Sequence, residues 1–276
     1  MRLAAAALAG AFLTAPVAAA PARVVSIHLC ADELVMALAD PGQIASLSWH
    51  AADPAQSYLA ERAVGLPENF GGAEEVIALK PDLVLAGAYS GRETKTLLRR
   101  LGVKVLDLDL PRSFADIRRQ TMAAAEALGH PERGRTLVAE MDAKLAAAAR
   151  KVAGLPPASA ILYQPGGVTM GKGFLEDEIL RQAGLGNVAT TLGIEGQGSV
   201  SIETLIAARP DLIIFGVEPD APPSLSARML SNRVLVRATR ARPVTLPPIL
   251  WTCGAWFTAE AVDRLADARV ALAKAP

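Results

Sequence analysis

Short, continuous apolar runs recur along the chain at 24–29, 44–49, 83–87, 103–109, 160–164, 212–216 and 243–246. They are bounded by helical patterns, and each is too short to be the core of a long helix. Runs of this kind read as strands buried on both faces of a sheet, and their alternation with helices predicts parallel α/β architecture. Midway along the chain the period changes. Leu137, Val138, Met141, Leu145, Ala149 and Val152 fall mainly at spacings of three and four, which gives one apolar face of a helix. Pro131 suits its first turn, and Gly154 with Pro156 ends it, so a single helix over 131–152 is predicted, about 33 Å long at 1.5 Å per residue.

An internal repeat flanks that helix. Residues 74–87 read EEVIALKPDLVLAG and residues 203–216 read ETLIAARPDLIIFG, at a constant offset of 129 with seven of fourteen positions identical. In each copy a short helix stops before a proline, Pro81 or Pro210, and a buried strand follows. A repeat so widely spaced predicts two similar lobes, not a solenoid. The expected organisation is a leader at 1–19, an N-terminal α/β lobe at 20–130, a linker helix at 131–153 and a C-terminal α/β lobe at 154–276.

The leader rests on a pattern of its own. Arg2 precedes an apolar stretch at 3–17 and the small residues Val17, Ala18 and Ala19, which is the form of a cleavable signal peptide. A mature protein in the periplasm, an oxidising compartment, follows. No later run reaches the 18–20 residues of a membrane span, so direct membrane insertion is not expected. Lys plus Arg equals Asp plus Glu at 28 each, without a basic block, which argues against a nucleic-acid surface. His28, His50 and His130 are the only histidines and form no HExxH or close Cys/His array, so neither a bare-ion site nor a resident cofactor is expected.

Several segments invite chemical readings. Gly166 to Lys172 nearly matches a phosphate-binding loop, but Gly173 replaces the hydroxyl residue that would hold magnesium. Gly193, Gly196 and Gly198 lack dinucleotide spacing and read as a flexible cleft loop. His130 is expected at a solvent-facing helix boundary. Ligands of open α/β sheets bind beyond the carboxyl ends of the strands, and Trp49, Tyr89, Trp251 and Trp256 fall at or after such ends, with His28 and His50 nearby. These six are the candidate ligand-binding residues, and broad aromatic faces suit a large ligand. Cys30 and Cys253, the only cysteines, are expected close together across the cleft, as a disulfide, as two separate thiols or as soft metal ligands. Ser26, His28, His50 and Asp53 supply the elements of an exported hydrolase, the alternative function, although they form no known nucleophile signature.

Taken in order, VVSIHLCADE at 24–33, Asp53-Pro54, ALKPDLV at 78–84 and the segment at 171–187 resemble the cobalamin and ferric-siderophore binding proteins of ABC importers. Leu29 stands where that family usually has a proline. The resemblance implies two lobes with mainly parallel sheets joined by one long helix, the class III periplasmic binding fold. It also implies a binding protein without enzymatic activity and acting as a monomer. The implied ligand is a bulky metal chelate (cobalamin or another corrinoid, a ferric siderophore or heme), delivered to the membrane subunits of the importer. Glu74 and Glu203, matched by position in the repeat, would be the carboxylates that meet arginines of those subunits.

Overall fold

The computed structural model describes residues 19–216 and 237–274; the leader 1–19 therefore lies, except for Ala19, outside the described residues. The N-lobe strands are β1 (Val24–Ser26), β2 (Ile44–Ser48), β3 (Glu68–Asn69), β4 (Leu83–Gly87) and β5 (Lys104–Leu108), all parallel in the order β3-β2-β1-β4-β5. Its helices are α1 (Leu29–Leu38), α2 (Ala60–Ala63), α3 (Ala73–Ala78), α4 (Arg92–Arg100) and α5 (Phe114–Leu128). The period of two along β4 explains why its run is apolar throughout. Leu83 and Leu85 enter the core under α1 and α5, while Val84 and Ala86 enter the second core under α3 and α4.

Helix α6 (Pro131–Val152) leads into the C-lobe, whose strands are β6 (Ser159–Leu162), β7 (Val168–Met170), β8 (Gly186–Asn187), β9 (Gln197–Ser199), β10 (Leu212–Phe215) and β11 (Arg242–Thr245). Four of these form a parallel sheet in the order β11-β10-β6-β8, while β7 and β9 pair antiparallel beside it. The helices described here are α7 (Leu175–Gln182), α8 (Val188–Thr191), α9 (Ile202–Ala208) and α10 (Ala259–Ala273). The two-sided burial recurs: Leu212 and Ile214 face one core, Ile213 and Phe215 the other. Among the described residues no helix is long and apolar enough to cross a membrane.

The repeat is visible as a shared joint. Lys80 and Arg209, each directly before the proline, adopt left-handed backbone with φ of 49°. A residue before proline is already excluded from α conformation, and the sharp turn sends the chain straight into the next strand. Asp82 then accepts from the amides of Ala22 (2.7 Å) and Arg23, while Asp211 accepts from the amide (2.7 Å) and hydroxyl (2.8 Å) of Ser159. Each aspartate thus ties the start of β4 or β10 to the start of its lobe's first strand.

Helix α6 packs against α5 on one side and α10 on the other. Its buried residues are Gly134, Met141, Leu145 and Ala148; Ala149, placed on the apolar face by periodicity, is exposed. His130 is not solvent-facing. Its side chain is 19% exposed, and its Nε2 lies 2.7 Å from Gln43 Oε1, which fixes the entry to α6. Gly166 and Gly167 form a turn into β7, and of the second glycine-rich segment Gly193 and Gly196 lie in a turn and a bend while Gly198 lies inside β9 and not in a loop.

Candidate functional site

In the N-lobe the chain winds one way from β1 through β2 to β3 and the other way from β4 to β5, so the order reverses between β1 and β4. A crevice opens at the carboxyl ends of strands flanking such a reversal. The residues that follow those ends are His28 after β1, Trp49 and His50 after β2, Phe70 after β3, Tyr89 and Ser90 after β4, and Asp109 after β5.

Trp49 is 47% exposed, Phe70 74% and Tyr89 84%. Exposed aromatic rings gathered on one edge, unlike ones scattered singly, mark a binding surface. Trp49 lies against His50 at 3.7 Å between ring centres with the planes tilted by 31°, and stacks on Phe70 at 6.3 Å with an interplanar angle of 27°. His50 Nδ1 is buried without a hydrogen-bond partner.

Buried polar groups beneath these loops hold the rings in place. Asn69 is fully buried; its amide nitrogen reaches Ser26 O, Ser46 Oγ and Leu47 O at 2.8–2.9 Å, and its Oδ1 accepts from Gly71 N, which fixes the backbone around Phe70. Under Tyr89, the buried Lys95 donates to Gly87 O (2.7 Å) and Ala88 O (2.8 Å) and pairs with Asp107 at 2.9 Å. Asp32, on α1, accepts from the Ser48 amide at 3.0 Å and from its hydroxyl, just before Trp49. Glu33 accepts from Ser57 Oγ (3.0 Å) and Tyr58 N (2.6 Å) on the loop that follows. Burial pushes both carboxyls up to about 7, against the pull of these donors.

His28 caps α1, its Nδ1 accepting from Cys30 N at 3.2 Å. With Nδ1 as acceptor, the neutral ring carries its proton on Nε2. Burial first, then the neighbouring His50 and Lys95, lowers its pKa.

From the C-lobe, the loop after β11 meets this surface through Cys253, Gly254 and Ala255. Cys30 and Cys253 are joined as a disulfide with Cα atoms 4.9 Å apart, of the alternatives open in the sequence. Tyr58 adds a second link, stacking on Phe257 at 4.1 Å and donating its hydroxyl to Glu260 Oε2 at 3.2 Å. Between the lobes lies a cavity of about 240 Å³, lined by His28, Tyr89, Ser90 and Gln120 on one side and the disulfide on the other.

Four candidates thus gather at the N-lobe edge: His28, Trp49, His50 and Tyr89. The other two are placed differently. Trp251 is 6% exposed, folded into the C-lobe core under Gly216. Trp256 is half-buried where the cores of both lobes meet, edge-on to Phe257 at 5.1 Å. Pro247 and Pro248 turn the chain back over the sheet after β11, so the rings that follow point inward. Phe70 escaped the sequence reading because β3 is only two residues long and has no apolar run. An aromatic between Asn69 and Gly71-Gly72 was the available signal.

The hydrolase constellation is not assembled. Ser26 is fully buried, its hydroxyl directed to His28 O at 3.3 Å, and Asp53 is occupied by its own loop through Ala55 N and Gln56 Nε2. Glu74 and Glu203 are both exposed in the first turns of α3 and α9. The Glu203 carboxyl is held below its usual range by its own backbone amide and by Ser201.

Residues 24–241 match the periplasmic binding protein family. The curated cobalamin-binding proteins of two Halobacterium salinarum strains are 26% identical over 225 residues, covering 80% of this chain and 61% of theirs. The chain therefore matches less than two thirds of the length of those relatives. Among solved structures, the apo form of the periplasmic heme-binding protein RhuT from Roseiflexus sp. RS-1 aligns with a TM-score of 0.75 at 25% identity, covering 91% of this chain and 99% of that one. The vitamin B12 binding protein BtuF of Vibrio cholerae aligns with a TM-score of 0.70 at 19% identity, covering 93% and 99%, a likeness of fold. With the family match spanning most of both lobes, and the two-sheet, single-helix fold shared with solved binding proteins, this chain belongs to the periplasmic binding protein family.

Proposed function

We propose that the protein captures a bulky metal chelate between its lobes in the periplasm, after loss of the leader 1–19, and delivers it to the membrane subunits of an ABC importer. The observation that carries this reading is the aromatic shelf of Trp49, His50, Phe70 and Tyr89 at the carboxyl edge of the N-lobe sheet. Flat, polarisable rings bury the face of a macrocycle without needing net charge of either sign, which suits a chain with balanced charge. The cobalamin- and heme-binding names of its relatives support the same ligand class. Glu74 and Glu203 serve as the docking pair: a duplicated lobe facing a two-fold partner offers one equivalent carboxylate per lobe.

A fluorescence titration of the mature protein with cobalamin, heme and ferric siderophores tests the capture step, because a bound chelate quenches Trp49. Saturable quenching by at least one of them is expected, and in calorimetric titrations, which need no tryptophan reporter, Trp49→Ala or Phe70→Ala weakens binding about tenfold or more, the loss of one aromatic face. The Glu74→Ala/Glu203→Ala double variant keeps its affinity but loses uptake in cells. No saturable binding sinks the capture reading; unchanged uptake by the double variant sinks the docking assignment.

A further inference from the structure

Glu33, on α1, is 1% exposed, and its two carboxyl oxygens are placed unequally. Oε1 takes two donors of the neighbouring loop, Ser57 Oγ at 3.0 Å and Tyr58 N at 2.6 Å. Oε2 is buried and meets no hydrogen-bond partner. An ionised carboxylate spreads its charge over both oxygens, so one dry, unpartnered oxygen disfavours the charged form and favours the neutral acid. Among the described residues no cation is free to offset this. Asp32, next on α1, adds a like charge when ionised, and His28 is turned to the helix cap. The core that α1 shares with the sheet and α5 holds apolar side chains, among them Val24, Leu47, Leu83, Leu85, Ala124 and Leu128. Arg62 of α2 is engaged by Met36 O, and Arg133 of α6 by Leu38 O and Asp40 at the far end of α1. Across the interface Glu260 and Arg264 pair with each other. Burial therefore outweighs the donors on Ser57, Tyr58 and Leu59 and holds the carboxyl up at about 7.

An interlobe contact depends on this carboxyl. Tyr58, whose amide Glu33 holds, stacks its ring on Phe257 at 4.1 Å and donates its hydroxyl to Glu260 of the C-lobe. No residue intervenes between the carboxyl and the clasp. We propose that Glu33 is a proton-operated latch on the lobe interface: as the neutral acid it fixes the loop 53–59 and the Tyr58 clasp, and as the carboxylate it draws water to Oε2, opens the loop and slackens the clasp. Helix α6 and the Cys30–Cys253 bridge stay in place, so the play between the lobes changes and not their attachment. In the open loop Glu33 meets water and returns to its ordinary value of 4.5, so closure weakens as pH rises from about 4.5 to about 7 and is level above that. The inference goes beyond ligand capture and holds whichever chelate is taken.

Hydrogen exchange of the mature protein at pH 5 and pH 8, read by mass spectrometry and corrected for the intrinsic pH dependence of exchange, tests it. Protection of the loop 53–59 and of the facing segment 255–260 should fall about tenfold or more at pH 8, while β10 in the C-lobe sheet changes less. Glu33→Gln keeps an acceptor for Ser57 and Tyr58 and cannot ionise, so both segments should stay protected at both pH values. Tyr58→Ala should leave 255–260 equally weakly protected at both. Carboxyl-carbon NMR of the parent protein, which needs no variant, should show a glutamate titrating near neutrality. The proposal is overturned by the absence of such a glutamate, by protection that does not vary with pH in the parent, or by a variation that persists in Glu33→Gln. Opening of the loop with no change in 255–260 overturns it as well. None of these outcomes touches the chelate titrations, which test capture separately.

Discussion

Breaking the link between Cys30 and Cys253 should cost more stability than any single side-chain truncation in the interlobe contact. The two residues are 223 positions apart, so the bridge closes nearly the whole mature chain into one loop. The chain-entropy relation for a loop of that length gives about 5 kcal/mol, most of it exerted on the unfolded state. For a protein of this size each kcal/mol moves the melting temperature by roughly 2–4 °C, so a fall of about 10–20 °C is expected. Differential scanning calorimetry of the mature protein, with and without reductant, measures it. The Cys30→Ala/Cys253→Ala variant separates the loss of the bridge from other effects of reductant. Thiol titration of the denatured, unreduced protein should find no free thiol. Each lobe keeps its own sheet and core, so circular dichroism near room temperature should change little, while ligand affinity falls as the lobes loosen. Two titratable thiols, or a melting point lowered by less than about 3 °C, would refute the reasoning.

Two further outcomes follow from buried groups. Asp32 and Glu33 sit at about 7 in the fold, against ordinary values of 3.8 and 4.5, so between about pH 4 and pH 7 the folded chain holds more protons than the unfolded one. Stability therefore falls as pH rises through that window; at 1.36 kcal/mol per pH unit Asp32 alone accounts for about 4 kcal/mol. Urea midpoints should be higher at pH 5 than at pH 8, and Asp32→Asn should shrink the difference; a flat profile in the parent protein would contradict the assignment. Gly134→Ala should destabilise by about 1–2 kcal/mol despite alanine's better helix propensity. Its Cβ would lie 2.5 Å from Ala125 Cβ where α5 and α6 touch, and overpacking there outweighs the helical gain. A urea midpoint at or above the parent's would show that the helices can part at no cost.

The fold was legible where length and period are strong signals. Continuous apolar runs mark the strands buried on both faces, and the repeated Pro-Asp joint marks the two lobes, because Asp82 and Asp211 do the same work at the same place. Two-residue strands such as β3 and β8 leave no periodic trace, and β3 borders the site, so Phe70 went unseen. The Trp251 ring illustrates a different limit. That a loop follows a strand end is local information, but whether its ring faces the crevice or the core depends on a chain reversal at Pro247-Pro248 and on space left by Gly216, 35 positions before it. His130 is misjudged for a related reason, since its partner Gln43 lies 87 residues away.

Besides the rigid span of α6, the lobes are held together by the bridge between Cys30 and Cys253 and by the contact of Tyr58 with Phe257 and Glu260. Two bodies held at three separate places keep little freedom to rotate. Neither sliding nor hinging wide apart is available to them, so the crevice behaves as a slot of nearly fixed width entered from its rim. A guest must fit the slot as it stands. Little of its binding free energy is then spent on ordering the host, and selection rests on the contours of the walls.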